Sequence, residues 1–144
     1  MIAWAEFERA EPALAAFGRE RLEDRVAYHA TLRLDGSPRV HPVSPSFRTG
    51  LVVISCRAHS PKVAEFARDG RYSMHSAQSA DDHEGDEGEF WVSGWMERLS
   101  PDHPATTGIG DDAPYDSAFY GLGIEAATAT TYDGHTPLYR RFHV

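Results

Sequence analysis

The sequence predicts a mainly β fold with flanking helices (α+β), an antiparallel barrel of six or seven strands, closed or nearly so. Three observations carry that prediction. Short apolar runs with the two-residue period of half-buried strands recur along the chain, bounded by Gly, Pro, Asp and Ser. The first two flank Asp35-Gly36, a pair whose backbone preferences suit a hairpin turn. Strands and helices do not alternate in the rhythm that a parallel sheet needs. With no internal repeat and no linker-like composition, residues 1–144 read as one domain: an N-terminal helix in 1–24, a barrel core in 25–99, and a connection with closing strands in 100–144.

Residues 6–23 place Phe7, Ala10, Leu14, Phe17 and Leu22 near helical spacing, with Pro12 early, which predicts an amphipathic helix that covers the sheet. Val26, Tyr28, Ala30, Leu32 and Leu34 alternate with Ala27, His29, Thr31 and Arg33, the period of a half-buried strand. After the turn a second strand returns through residues 38–47. Pro38, Pro42 and Pro45 remove donors that a central strand needs, so it reads as an edge or bulged strand lining something. Arg48-Thr49-Gly50 makes the next turn, and residues 51–55 suit a buried strand. Ser60-Pro61 opens the best-marked helix, with an N-cap hydroxyl followed by proline at the first helical position, and Asp69-Gly70 closes it. Tyr72, Met74 and Ser76 mark a strand, residues 81–89 an acidic loop, and 90–99 another strand. Residues 100–116 form a connection, 124–132 a Thr- and Ala-rich strand, and 138–144 a last one.

A chain of 144 residues buries roughly two-thirds of its unfolded surface and needs neither disulfide nor metal to hold together. No apolar run approaches the roughly 20 residues that span a bilayer, and residues 1–11 lack the basic and apolar segments of a secretory signal. No membrane partner and a cytoplasmic location are the expectations. A net charge of −8 argues against nucleic acid, whose binding rests on Lys and Arg at phosphates. The single cysteine, Cys56, ends a strand and reads as a structural thiol in a reducing compartment.

The strongest local chemistry is at Ser60-Pro61-Lys62. A helix N-terminus presents unpaired N–H groups and partial positive charge, Ser60 adds a hydroxyl, and Lys62 an ammonium able to reach a phosphate. On local sequence alone a plain helix cap with a solvated lysine is the commoner reading of such a tripeptide.

Three ordered strings change that weighting. R-V-A-Y-H-A-T-L-R-L-D-G-S-P-R-V-H-P-V-S-P from Arg25, S-P-K-V-A-E-F-A-R-D-G-R-Y from Ser60 and G-E-F-W-V-S-G-W-M-E-R-L from Gly88 follow in order within residues 25–99, a run of about half the chain. In order and spacing they resemble the pyridoxamine 5'-phosphate oxidase-like FMN-binding split-barrel family. The resemblance implies a six-stranded antiparallel split barrel, a homodimer with the flavin in a groove at its interface, and a small-molecule substrate. It places Arg39, Val40, His41, Pro42, Val43 and Ser44 beside the isoalloxazine ring, with Arg39 near its polar edge. Ser55 and Cys56 would approach the ribityl-phosphate, and Ser60 and Lys62 match the family's phosphate-binding pair. Pro61 stands where the oxidases have Arg, and Arg57 is the substitute at hand. Glu89 stands where they have a polar amide. The segment Leu138-Tyr139-Arg140-Arg141-Phe142 matches their substrate segment poorly, so a vitamin B6 oxidase is not the expectation.

Within this superfamily the cofactor ranks as FMN first, then F420, with heme below both. The functional expectation is hydride or electron transfer between a reduced nicotinamide, or a similar donor, and a small acceptor. The alternative is a non-enzymatic module of the same fold, binding a flavin or F420 or serving a stress-related role. Flavin chemistry needs few protein acids or bases. No catalytic residue is assigned; His41 and His29 are the nearest titratable candidates, and a structural hydrogen-bonding role fits both better.

Other signals carry less. Gly121-Leu122-Gly123-Ile124-Glu125-Ala126 fits a dinucleotide fingerprint but lacks the strand-to-helix context. The acidic run 81–89 lacks the EF-hand glycine and reads as a solvated loop. Eight histidines form no metal-binding spacing, and no metal site is assigned. There is no nucleophile-elbow motif. Trp91 and Trp95, four apart on one strand, share a side, and with the other aromatics read as core or interface contacts.

Overall fold

The computed structural model describes residues 1–78 and 87–144. The acidic-loop expectation falls for residues 81–86 outside the described residues. Twelve elements follow in order: α1 (Trp4–Ala10), α2 (Pro12–Leu22), β1 (Ala27–Leu32), β2 (Pro38–Val43), β3 (Ser46–Arg48), β4 (Leu51–Arg57), α3 (Pro61–Arg68), β5 (Arg71–Ser76), β6 (Glu89–Leu99), a single 3-10 turn (Pro104–Thr106), β7 (Ser117–Asp133) and β8 (Thr136–His143). Among the described residues the strands number eight, and all pair antiparallel.

Strand order shows why the sheet must roll up. It runs β2-β1-β5-β6-β7-β4-β3, with β8 added to β7. The two ends of that order, β2 and β3, are separated in the chain only by Ser44 and Pro45. Three extended residue steps span at most about 11 Å. The sheet therefore curls until its edges meet, and they meet without a ladder between them. The prolines explain the gap, since proline belongs on an edge where its missing N–H would face no partner. The second strand predicted for residues 38–47 is thus two strands on opposite lips of the split, broken at the buried Pro45.

Three other expectations need correction. The single helix over residues 6–23 is a helix pair. Pro12 has no N–H to continue α1 and starts α2 instead, and Glu11 between them leaves the helical region at φ −136°, ψ 65°. The Asp35-Gly36 connection closes a five-residue loop between Leu32 and Pro38. Gly36 takes φ +83°, and Asp35 accepts from the Ser37 N–H at 2.9 Å and hydroxyl at 2.7 Å. The strand predicted over residues 124–132 is 17 residues long, because Gly121 and Gly123 do not break it. They sit where β7 crosses β6 at a register shift between Ser93 and Gly94, and a Cβ on Gly94 would meet the Gly123 carbonyl at 2.0 Å.

The main core fills the barrel. Val52, Ile54, Val92, Met96, Leu122 and Ile124 point inward from β4, β6 and β7, and Trp4, Phe7, Leu14 and Leu22 of the helix pair cover them. Trp4 packs edge-on against Phe47 at 4.8 Å, and Gly18 lets α2 settle on Phe90, whose ring a Cβ there would approach to 2.5 Å. Strand β1 keeps the expected period but inverts its phase. Ala27, His29 and Thr31 are buried, while Tyr28 is 52% exposed. No helix among the described residues is long and apolar enough to cross a membrane.

Candidate functional site

The site is built where α3 meets the split. Ser60 caps the helix as the sequence predicts, its backbone extended and its hydroxyl oxygen accepting from the Lys62 N–H at 3.3 Å. Accepting leaves the hydroxyl proton to donate elsewhere. Upstream, the Arg57 guanidinium lies 4.4 Å over the Tyr115 ring, and the Ala58 N–H donates to the Asp116 carbonyl at 2.8 Å. The loop into the helix is therefore tied to the segment before β7.

One turn on, α3 turns a buried face to the barrel, carrying Glu65 and Phe66. Glu65 is 4% exposed and receives two bonds from Arg39 of β2, Nε to Oε2 at 2.8 Å and Nη2 to Oε1 at 2.7 Å. This is the parallel fork geometry that guanidinium and carboxylate prefer. Phe66 reaches the interior of the barrel. Its ring lies 6.5 Å from His41 and nearly parallel to it, 6.1 Å from His29, and edge-on to Tyr120 of β7 at 5.0 Å.

His29 and His41 face each other across the β1–β2 ladder, with Nδ1 of His29 3.4 Å from Nε2 of His41. Burial is the main cause that lowers both, His29 to about 3 and His41 to about 4. The Lys62 charge lowers each further, as does each histidine's other neighbour, His41 acting on His29 and Arg39 on His41. Both imidazoles are neutral at neutral pH, which leaves them poor proton donors there. Around them the buried His29 Nε2, His41 Nδ1, Thr31 Oγ1 and Tyr72 hydroxyl find no protein partner among the described residues. On β4, the neighbour of the β3 lip, burial raises the half-buried Cys56 thiol against the pull of Lys62 and Arg98. Arg98 in turn donates to the Tyr120 hydroxyl at 3.0 Å. Lys62 thus acts on groups of β1, β2 and β4, and it makes no ion pair among the described residues.

Strand alternation divides the predicted residues into two sets. Arg39, His41, Val43 and Cys56 point inward, and Lys62 joins them at the mouth. Val40, Pro42, Ser55 and Arg57 point outward, and Ser44 is exposed on the link between the lips. Arg39, expected at the polar edge of a flavin, is paired with Glu65. Glu89 lies at the start of β6, 3.8 Å from His75 and accepting from the Tyr132 hydroxyl at 3.4 Å. Glu65 and Phe66 escaped the sequence reading. The signal was available in retrospect, since a carboxylate in the inward stripe of a short helix needs a buried cation opposite it. The Gly121–Ala126 run lies inside β7 and opens no helix. Among the described residues no three His, Cys, Asp or Glu side chains gather to hold a metal ion.

No protein-family model matches the chain, and no curated protein matches it in sequence. Solved structures do match. A heme binding protein from Mycobacterium smegmatis superposes on 89% of this chain and 56% of its own with a TM-score of 0.67 at 19% identity, so the chain spans just over half of that protein. A pyridoxamine 5'-phosphate oxidase-related, FMN binding protein from Nostoc punctiforme covers 96% of this chain and 91% of its own, with a TM-score of 0.65 at 11% identity. An F420 reductase covers 76% and 94%, with a TM-score of 0.57 at 17% identity. At these identities the likeness establishes the fold: the chain has the split-barrel fold of these structures, with eight strands where six were expected. Proteins of this fold include FMN-binding, F420-linked and heme-binding examples.

Proposed function

We propose that the protein binds a flavin phosphate, FMN ahead of F420, with the phosphate at the N-terminus of α3 and the ring along β2, and serves as an oxidoreductase for a small acceptor in the cytoplasm. The carrying observation is the α3 terminus itself. It offers a capping serine with a hydroxyl proton to give and a lysine with no ion pair among the described residues, a donor set suited to a phosphate. Pro61 supplies no side-chain contact, and Arg57, stacked on Tyr115, keeps its N–H edges available to an anion. When bound, the flavin would supply the hydride chemistry. The chain's own part is to grip, orient and shelter it.

A homodimer belongs to the same reading. Tyr28, Val40 and Trp95 are exposed on the outer faces of β1, β2 and β6, at 52%, 66% and 40%, which suits a face covered by a second copy.

Titration with FMN and riboflavin, followed by flavin fluorescence, tests the grip. Lys62→Ala should weaken FMN binding by roughly tenfold or more, the worth of one hydrogen bond to a charged group, and leave riboflavin unchanged. Equal FMN affinity in parent and variant would remove Lys62 from the site. Reduction of the bound flavin by NADH or NADPH separates an enzyme from a storage or sensing module.

A further inference from the structure

We infer that Arg39 and Glu65 are a positioning pair that aligns the two halves of this site, setting α3 at a fixed height against β2. The inference rests on the cofactor reading above and concerns two residues that do not themselves touch the ligand.

The proposed site is assembled from elements with little else in common. The phosphate end is the first turn of α3, and the ring end is β2, an edge strand whose one ladder runs to β1. Pro38 and Pro42 deny β2 two of its backbone donors. Across this poorly braced junction the Arg39–Glu65 fork is the polar link, and the Phe66–His41 ring contact lies beside it. A two-pronged bond fixes distance and rotation together, which a single bond or a ring contact does not. Glu65 sits three residues beyond Lys62 on the same helix, so a shift of Glu65 carries the Lys62 N–H, Ser60 and the helix terminus with it. The guanidinium is occupied on its Nε edge by Glu65, which makes Arg39 a strut in place of the direct ring contact expected of it.

Double-mutant analysis with two ligands tests this. The readout is the ratio of FMN to riboflavin affinity, because riboflavin lacks the phosphate that alignment serves. Arg39→Met, Glu65→Leu and the combined variant should each lower that ratio by about tenfold, and the double variant no more than either single one, since each breaks the same link. The double variant replaces the ion pair by apolar groups of similar size, a change that buried pairs tolerate, so it keeps the test open if a single variant fails to fold. The exchanged pair Arg39→Glu with Glu65→Arg should recover part of the ratio. If Glu65→Gln instead tightens FMN binding, Glu65 acts as an electrostatic brake and the positioning role is wrong. Equal losses for FMN and riboflavin would reduce the pair to ordinary fold stability and also overturn it. A parent protein with no preference for FMN sinks the cofactor reading and this role together, whereas a parent preference that every variant keeps sinks the positioning role alone.

Discussion

The two halves of the barrel obey opposite rules. In the half made by β4, β6 and β7, Val52, Ile54, Val92, Leu122 and Ile124 point inward and are at most 2% exposed. In the half made by β1, β2 and α3, the interior holds His29, His41, Thr31, Arg39 and Glu65, while Tyr28 and Val40 stand on the outside. The first half is assembled by removing apolar surface from water. The second retains buried polar groups that cost free energy unless partnered, and three of their atoms, on His29, Thr31 and His41, have no protein partner among the described residues. Local rules fail where a surface serves something other than folding, and here the failure lies beside the Ser60-capped start of α3.

The contrast can be broken from either side. The largest effect belongs to the conventional half. Phe90→Ala removes a fully buried ring packed against α2 and should cost about 3–5 kcal/mol, read by urea denaturation. A loss under 1 kcal/mol would mean that the helix pair is not what holds this side together.

Acid should attack the other half. The His29 and His41 values are depressed below 6.5 in the folded protein, so between about pH 4 and 6.5 the unfolded chain binds more protons than the folded one. Stability is then fully present above pH 6.5 and declines as the pH falls. The slope reaches up to about 1.4 kcal/mol per pH unit for the buried His29 and less for half-buried His41. Melting temperatures across this range measure it. A His29→Leu/His41→Leu variant should flatten the decline, and an unchanged slope would place the acid sensitivity elsewhere.

Ser60→Ala touches both readings. Losing the cap should cost about 1 kcal/mol of stability, and FMN affinity should fall as well. A stability loss alone would return Ser60 to plain capping. The smallest change in folding is expected from Val40→Ser on the outer face, within about 0.5 kcal/mol. Sedimentation should nevertheless show a weakened dimer, and an unaltered dimer would move the interface away from β2.

Most of the architecture was legible because turn chemistry and capping are local. Thr49-Gly50 and Ser60-Pro61 mark the boundaries they were assigned, and Asp35-Gly36 marks the turn though the loop around it is longer. The single helix failed at Pro12, since apolar spacing runs through the break when both helices cover the same core. The length of β7 was hidden because Gly121 and Gly123 look like breakers in sequence, while in space Gly123 lies where Gly94 of β6 approaches closely. Within the site, Ser60 and Lys62 were visible as a helix start. Glu65 was not, because its partner Arg39 lies 26 residues away and only the rolled sheet brings them together. The inverted phase of β1 had the same origin: alternation reveals two faces, and the tertiary fold decides which is inside.

The proline-marked lips of the split have a consequence for the molecule's life among other proteins. An unpaired strand edge is a template on which a stray chain can add, and repeated addition ends in aggregates. Pro38 and Pro42 blunt the β2 lip, while β3 is only three residues long. The opening between the lips is thereby made a poor docking place for foreign strands. The same residues that keep the barrel from zipping shut on itself keep it from being zipped to its neighbours.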